Sequence, residues 1–310
     1  MKTTIHPHPT PAAIDHAAQA IREGSVAVFP TETVYGMGAD ATNPAAVAGI
    51  FRAKGRPADN PLIVHLAEAA QADKIAHTCP LFWQLAEAFM PGALTAVLPK
   101  RESIPHITTG GQPTVAVRVP SHPIAREIIR RSGVPVAAPS ANISGRPSCT
   151  APDHVIEDCG GRVSVIVCGG RCDIGLESTV VSLAEGNITI LRPGGVTAEM
   201  LRSACPNVEV TDKSSGHLRE SEAPLSPGMK YRHYAPRGRL VLLEGDPVAA
   251  ERHYNATLAE PNARFFVPTE ESLFRTLRQF DREGAEVIYI ALPTGASAAL
   301  HNRVVRATEG

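Results

Sequence analysis

The chain has 310 residues, 43% hydrophobic and 20% charged, with 30 Lys+Arg against 31 Asp+Glu. At roughly 100–200 residues per domain that is about two domains, each large enough to bury a core, and no apolar run approaches the ~18 residues that cross a bilayer. Charge is balanced on both sides of residue 205, which argues against binding nucleic acid mainly through bulk positive charge. Residues 1–11 lack the basic-then-apolar profile of a signal peptide, so a cytoplasmic location is expected. Thr10 and Pro11 open a helix with Ile14, Ala17, Ala18 and Ile21 on one face, and Gly24 ends it. Residues 26–29 read as a short buried strand. A second helix starts at Asn43-Pro44, buries Val47, Ile50 and Phe51, and ends near Gly55. Further strands are predicted at 62–66, 94–98, 115–119, 134–138, 163–168, 179–183 and 188–191, with helices around 81–89 and 124–131. Several strands adjoin without a helix between them, which fits a mixed sheet with helices packed on it.

Residues 206–237 carry Pro224, Pro227-Gly228 and Pro236 without a sustained apolar period, and read as a linker. Beyond it, strands at 240–243, 264–267 and 287–290 alternate with helices at 247–258, 271–282 and 297–306. That pattern suggests a small α/β unit with a parallel sheet. The organisation is thus a unit at 1–205, a linker at 206–237 and a smaller unit at 238–310. The six cysteines fit buried thiols, because Cys168 and Cys172 have no second pair at metal spacing; no metal-ligand set is predicted.

No GxxxxGK[ST] is present, so a P-loop is excluded. Gly36-Met37-Gly38-Ala39-Asp40-Ala41 matches GxGxxA, yet residues 30–35 part it from the strand and the helix waits until Asn43. A dinucleotide fingerprint needs a tight turn from strand to helix, so these glycines read as a sharp loop. Lysine is scarce, and Lys54 stands with Arg56 at a helix end that Gly55 terminates and Pro57 and Pro61 stiffen. Favourable cations at a helix C-terminus are one account; a rigid cationic hook for phosphate oxygens, with Asn60 adding an amide, is the other. In residues 115–119, alternation puts the three valines on one face and Ala116 with Arg118 on the opposite one. Arg118 is either an arginine in water or, in a cleft, a two-bond partner for a carboxylate. Residues 138–145 follow a strand with hydroxyls, an amide and free N–H groups, fitting an anion cradle or ordinary turn chemistry. No GxSxG elbow surrounds any of these serines.

Pro30-Thr31-Glu32-Thr33-Val34-Tyr35-Gly36, Lys54-Gly55-Arg56-Pro57 through Asn60-Pro61-Leu62, and Ala138-Pro139-Ser140-Ala141-Asn142 together resemble the L-threonylcarbamoyladenylate synthase (YrdC-like) family. Pro91-Gly92, Val117-Arg118-Val119-Pro120, Glu177-Ser178-Thr179-Val180 and Leu191-Arg192-Pro193-Gly194 fit the pattern in the same order. Residues 226–236 look like the linker signature of the long, two-domain form. The resemblance implies a twisted mixed α/β sheet with flanking helices, plus a small Rossmann-like C-terminal α/β unit. It implies an enzyme, a nucleotidyltransferase, that joins L-threonine, bicarbonate (or carbon dioxide) and ATP into threonylcarbamoyl-AMP and pyrophosphate. The product would supply a tRNA-modifying threonylcarbamoyl transferase, and magnesium is the expected helper. Carried over by position, Lys54, Arg56 and Arg192 face phosphate, with Lys54 and Arg56 in the catalytic role. Asn60, Thr114, Ser140 and Ser148 contact ATP with Asn142 close by, and Tyr234 covers the nucleotide. Arg118 takes the threonine carboxylate; Thr33, His65, Ser178 and the backbone at Ala138 surround the amino acid. Lys230, Arg232 and His233 fit either a lid over a bound anion or a solvated tether. The closing segment at 295–303 resembles the family's last helix in part.

Two other classes compete. An RNA-binding module is disfavoured by the neutral charge, and direct tRNA binding is left open. A carbamoyl-adenylate domain with another acceptor belongs to larger chains with further catalytic domains, which this sequence does not include.

Overall fold

The computed structural model describes residues 2–214 and 234–308; Lys230, Arg232 and His233, read above as a lid or a tether, lie outside the described residues. In chain order, β1 (Thr4–His6) leads into α1 (Pro11–Arg22), where Thr10 Oγ1 accepts from the Ala13 N–H and Pro11 fills the first turn. Next come β2 (Ala27–Phe29), β3 (Gly36–Asp40) and α2 (Pro44–Lys54), which Asn43 caps and Gly55 ends in the left-handed region at φ 63°. The chain continues through β4 (Ile63–His65), α3 (Pro80–Phe89), β5 (Leu94–Pro99), β6 (Thr114–Arg118), α4 (Pro123–Ser132) and β7 (Val136–Ala137). Then follow α5 (Pro152–Cys159), β8 (Val165–Val167), β9 (Thr179–Ser182), β10 (Ile188–Arg192), α6 (Ala198–Ala204) and β11 (Val210–Asp212).

Among the described residues these eleven strands form one sheet, ordered β1-β8-β2-β3-β7-β4-β6-β5-β9-β10-β11. Parallel neighbours (β4 with β6, β5 with β9) mix with antiparallel ones (β2 with β3, β5 with β6), as the adjoining strands of the sequence suggest. Val28 packs in a core with Val47, Ile50 and Phe82, whereas its neighbours Ala27 and Phe29 join Ile14, Ile21 and Ile128. The two cores therefore cover opposite faces.

Two readings change. Gly36 and Gly38 are strand residues of β3, flanked by β2 and β7, not members of a loop. A Cβ on Gly38 would fall 2.6 Å from Phe29 Cε1 and 2.8 Å from Val136 Cγ1, so packing rather than turning demands the glycine. Within the stretch read as linker, β11 pairs in parallel with β10 and extends the large sheet as far as Asp212.

The C-terminal unit comprises β12 (Arg239–Leu243), α7 (Pro247–His253), β13 (Ala263–Phe266), α8 (Leu273–Arg282), β14 (Val287–Ala291) and α9 (Ala298–Thr308). Its sheet, β12-β14-β13, is parallel throughout. Its apolar cluster gathers Phe274, Leu277, Ile288 and Val304 together with Tyr234, Val34 and Leu176, the last two from the larger unit. The two units share one core at their junction.

Candidate active site

One cavity opens where β2, β4, β6, β7 and β10 end and α2 terminates. Lys54, Arg56, Arg118 and Arg192 all line it, with Thr33, His65, Ala138, Ser140, Asn142, Ser178 and Tyr234. Lys54 is buried, not a solvated helix-end cation. Its Nζ donates to the Ser140 carbonyl and, at 2.5 Å, to that of Asn142, tying the end of α2 to the loop after β7. Burial, and then the Arg56 charge, lower its pKa to about 7. Arg56 Nη2 donates to the Pro61 carbonyl at 3.1 Å, so the stiffened exit holds the guanidinium.

Arg192 reaches the same cavity through an irregularity. Ile190 belongs to the main core and Leu191 to the cluster with Ile63 and Ala116, so alternation alone would return Arg192 to the Ile190 face. The register of β10 against β9 shifts between Ile190 and Arg192, and this bulge turns Arg192 into the cavity. There its Nε and Nη2 donate to the Ser178 carbonyl at 3.1 and 3.0 Å, and Nη2 also meets Ser178 Oγ at 3.2 Å. Burial is the largest cause that brings its pKa down to about 10.

Arg118 is buried on the Ile63–Ala116 face and lines the cavity rather than standing in water. Its Nη2 donates to Glu32 Oε1 at 2.6 Å and its Nε to the Gly92 carbonyl at 3.3 Å. Burial raises the Glu32 pKa, but the Arg118 charge and hydrogen bond prevail and hold the carboxyl below its ordinary range. Thr31 Oγ1 donates to the Val34 carbonyl at 2.6 Å and meets Thr33 Oγ1 at 2.9 Å, locking the turn that presents Thr33. Ser178 Oγ lies 2.8 Å from Thr95 Oγ1. His65 is buried against the Ile63 carbonyl at 3.1 Å; burial, and then Arg118, lower its pKa to about 3, so the ring is neutral. Ser140 Oγ donates to Asn142 Oδ1 at 2.5 Å, and Asn142 Nδ2 donates to the Ile143 and Arg146 carbonyls.

Three predicted residues are not in the cavity wall. Thr114 starts β6, four residues of strand before Arg118 and so roughly 13 Å along it. Asn60 is buried, with no hydrogen-bond partner for Oδ1 among the described residues. Ser148 lies behind the wall and donates to Glu177 Oε1 at 2.6 Å. Conversely, two carboxylates that had no assigned role organise the cations: Glu32 under Arg118, and Glu177, whose Oε2 accepts from Arg303 Nε at 2.9 Å. Both stood inside the quoted motifs, but their partners are distant in sequence and come together only through the sheet order.

A family model described as "Telomere recombination" (Sua5, YciO and YrdC) matches residues 19–194, and the model of the threonylcarbamoyl-AMP synthase C-terminal domain matches residues 196–308. The chain belongs to the threonylcarbamoyl-AMP synthase family. It is 41% identical to the Bacillus subtilis (strain 168) protein named threonylcarbamoyl-AMP synthase, over 96% of this chain and 93% of that one. Its identity to the Pyrococcus abyssi protein of the same name is also 41%, over 94% and 93%. The crystal structure of Pyrococcus abyssi Sua5 complexed with L-threonine matches with a TM-score of 0.89 at 38% identity, covering 99% of this chain and 97% of that one. Membership in this synthase family extends over both units.

Proposed function

We propose that this chain is a threonylcarbamoyl-AMP synthase, joining L-threonine, bicarbonate and ATP with release of pyrophosphate. The observation that carries the reading is the convergence of Lys54, Arg56 and Arg192 on the cavity that also holds Arg118. Buried cations in a shared pocket match an anionic nucleotide beside an amino-acid carboxylate. Arg118 takes the threonine carboxylate, a site where Glu32 already supports the guanidinium. Thr33, His65, Ser178 and the Ala138 backbone surround the amino acid, and neutral His65 adds a hydrogen-bonding ring without a further charge. The threonine amine and bicarbonate form a carbamate and water. A carbamate oxygen then attacks the α-phosphorus, the bond to the bridging oxygen breaks, and pyrophosphate leaves.

Lys54, Arg56 and Arg192 offset charge on the triphosphate and on the departing diphosphate, while Ser140 and Asn142 border the nucleotide and Tyr234 covers it. Asn60, Thr114 and Ser148 would reach ATP only where it extends past the lining described. The contribution is positioning and charge stabilisation in a shielded site, because a carbamate is short-lived in water. The lining residues do not make a metal site. Glu177 is its one acid among the described residues, both its oxygens are engaged, and no group of three His, Cys, Asp or Glu there could hold an ion. Magnesium would arrive on the phosphates of ATP, and no step is assigned to it. The product would pass to a tRNA-modifying transferase. The six unpaired cysteines support the reducing cytoplasm as its setting, and no helix among the described residues is long and apolar enough to cross a membrane.

The test is pyrophosphate release by the purified chain. Release should require threonine, bicarbonate, ATP and magnesium together; release that ignores threonine would overturn the reading.

A further inference from the structure

Arg303 of α9 is completely buried, and its guanidinium is shared among groups that carry the cavity wall. Its Nε donates to Glu177 Oε2 at 2.9 Å and its Nη2 to the Pro193 carbonyl at 3.0 Å. Glu177 immediately precedes Ser178, and Pro193 immediately follows Arg192. One side chain from the C-terminal unit therefore pins both segments of the cationic wall. Those segments pass backbone against backbone: a Cβ on Gly194 would fall 2.3 Å from the Thr179 nitrogen and 2.6 Å from the Glu177 carbonyl oxygen.

The same guanidinium carbon lies 5.5 Å from the centre of the Tyr234 ring, which stacks on Phe274 of α8 at 5.1 Å and 26°. Tyr234 has a φ of 67°, a conformation that a residue other than glycine keeps only where its surroundings enforce it. Two helices of the C-terminal unit thus fix a ring that lines the cavity.

Charge acts in the same direction. Glu177 gives one oxygen to Arg303 and the other to Ser148 Oγ, 2.6 Å away. A buried carboxylate deprived of its cation is strongly disfavoured and turns to the next one available. Here that is Arg192, which lines the same cavity as Glu177 and donates to the carbonyl of the adjacent Ser178. We infer that Arg303 is a positioning residue of the nucleotide pocket, keeping the Glu177 carboxylate from contesting Arg192 with substrate phosphate and fixing the Tyr234 ring. The C-terminal unit thereby completes a site whose lining, Tyr234 apart, the larger unit carries. This inference rests on the synthase reading.

Calorimetric binding of a non-hydrolysable ATP analogue with magnesium, on the full chain, tests it beside the pyrophosphate assay. Arg303→Met should weaken analogue binding by roughly tenfold or more. Adding Glu177→Gln to that variant should recover most of the loss, because a neutral amide does not compete for Arg192; a merely structural role predicts no recovery. Arg303→Gln keeps an amide donor without the charge, and gives the same comparison should the Met variant not fold. Arg282→Ala, which breaks exposed pairs to Asp153 and Glu157, should bind as the wild type does. Folded Arg303 variants with wild-type affinity, or a double variant no better than the single one, would overturn the inference. If the wild type itself does not bind the analogue, the synthase reading and the inference fail together. If it binds and turns over with threonine while the Arg303 variants bind normally, the inference alone fails.

Discussion

Lys54 joins a structural tie to a shifted protonation equilibrium. Its ammonium ties α2 to the carbonyls of Ser140 and Asn142, and burial beside Arg56 lowers its pKa to about 7 from 10.5. Above that value the unliganded side chain is neutral, whereas a polyanion in the cavity restores the preference for the charged form. ATP binding should therefore take up close to one proton at pH 8 and much less at pH 6, where the lysine already holds it. Calorimetry in buffers of different ionisation enthalpy measures that uptake, and Lys54→Met should abolish the difference between the two pH values. Uptake that is the same at both, or unchanged in the variant, would place the shifted group elsewhere. The sign for stability follows the same shift: the unfolded chain binds the extra proton between pH 7 and 10.5, so this residue favours folding as pH rises through that window.

At the scale of elements, much of the fold was legible because helix starts carry their own chemistry. Thr10-Pro11 and Asn43-Pro44 place a capping oxygen before a proline, and both helices begin there. α5 was not foreseen: it too starts with proline, but Ala151 offers no capping side chain and the helix has eight residues. β3 was missed for a different reason. Gly-Met-Gly-Ala-Asp carries no β-branched residue, and the strand exists because β2 and β7 flank it, a tertiary cause that local propensity cannot express. Gly38→Ala should accordingly destabilise the protein by about 1–3 kcal/mol through overpacking against Phe29 and Val136. Gly36→Ala, whose Cβ would sit at an ordinary 3.5 Å from its neighbours, should cost less than ~1 kcal/mol. Denaturant midpoints compare the two, and equal losses would remove the packing argument. The bulge at Arg192 was equally invisible, although the residue itself stood out by motif.

For the molecule as a whole, the sequence announced two units but not what binds them. The signal was there: Arg278 sits in the apolar stripe of α8 with Phe274 and Leu277, and Arg303 in that of α9 with Ala299, Leu300, Val304 and Ala307. An arginine inside such a stripe needs a buried partner, and the partners lie more than a hundred residues earlier. Arg278 Nη2 meets Asp158 Oδ2 at 2.6 Å, while its Nε and Nη2 donate to the Pro147 carbonyl at 3.0 and 2.7 Å. Asp158 in turn accepts from the Ile143 N–H at 3.1 Å and from Arg146 at 2.8 Å, so it organises the loop that leaves Asn142. Removing Arg278 leaves the buried Asp158 carboxylate with half-buried Arg146 as its remaining ion-pair partner, and breaking a buried pair costs up to about 3–5 kcal/mol. Arg278→Met should then lower the thermal midpoint by on the order of 10 °C and speed hydrogen exchange across residues 143–149. Acid provides the sharper check. Burial raises the Asp158 pKa, but the hydrogen bond and charge of Arg278 prevail and hold it below the usual carboxylate range. The stability of the pair is thus present above about pH 4 and fades as pH falls through the lowered value. The gap between wild type and Arg278→Met should narrow on acidification, whereas a gap that stays constant from pH 7 to pH 3 would show that lost packing, not the ion pair, holds the two units together.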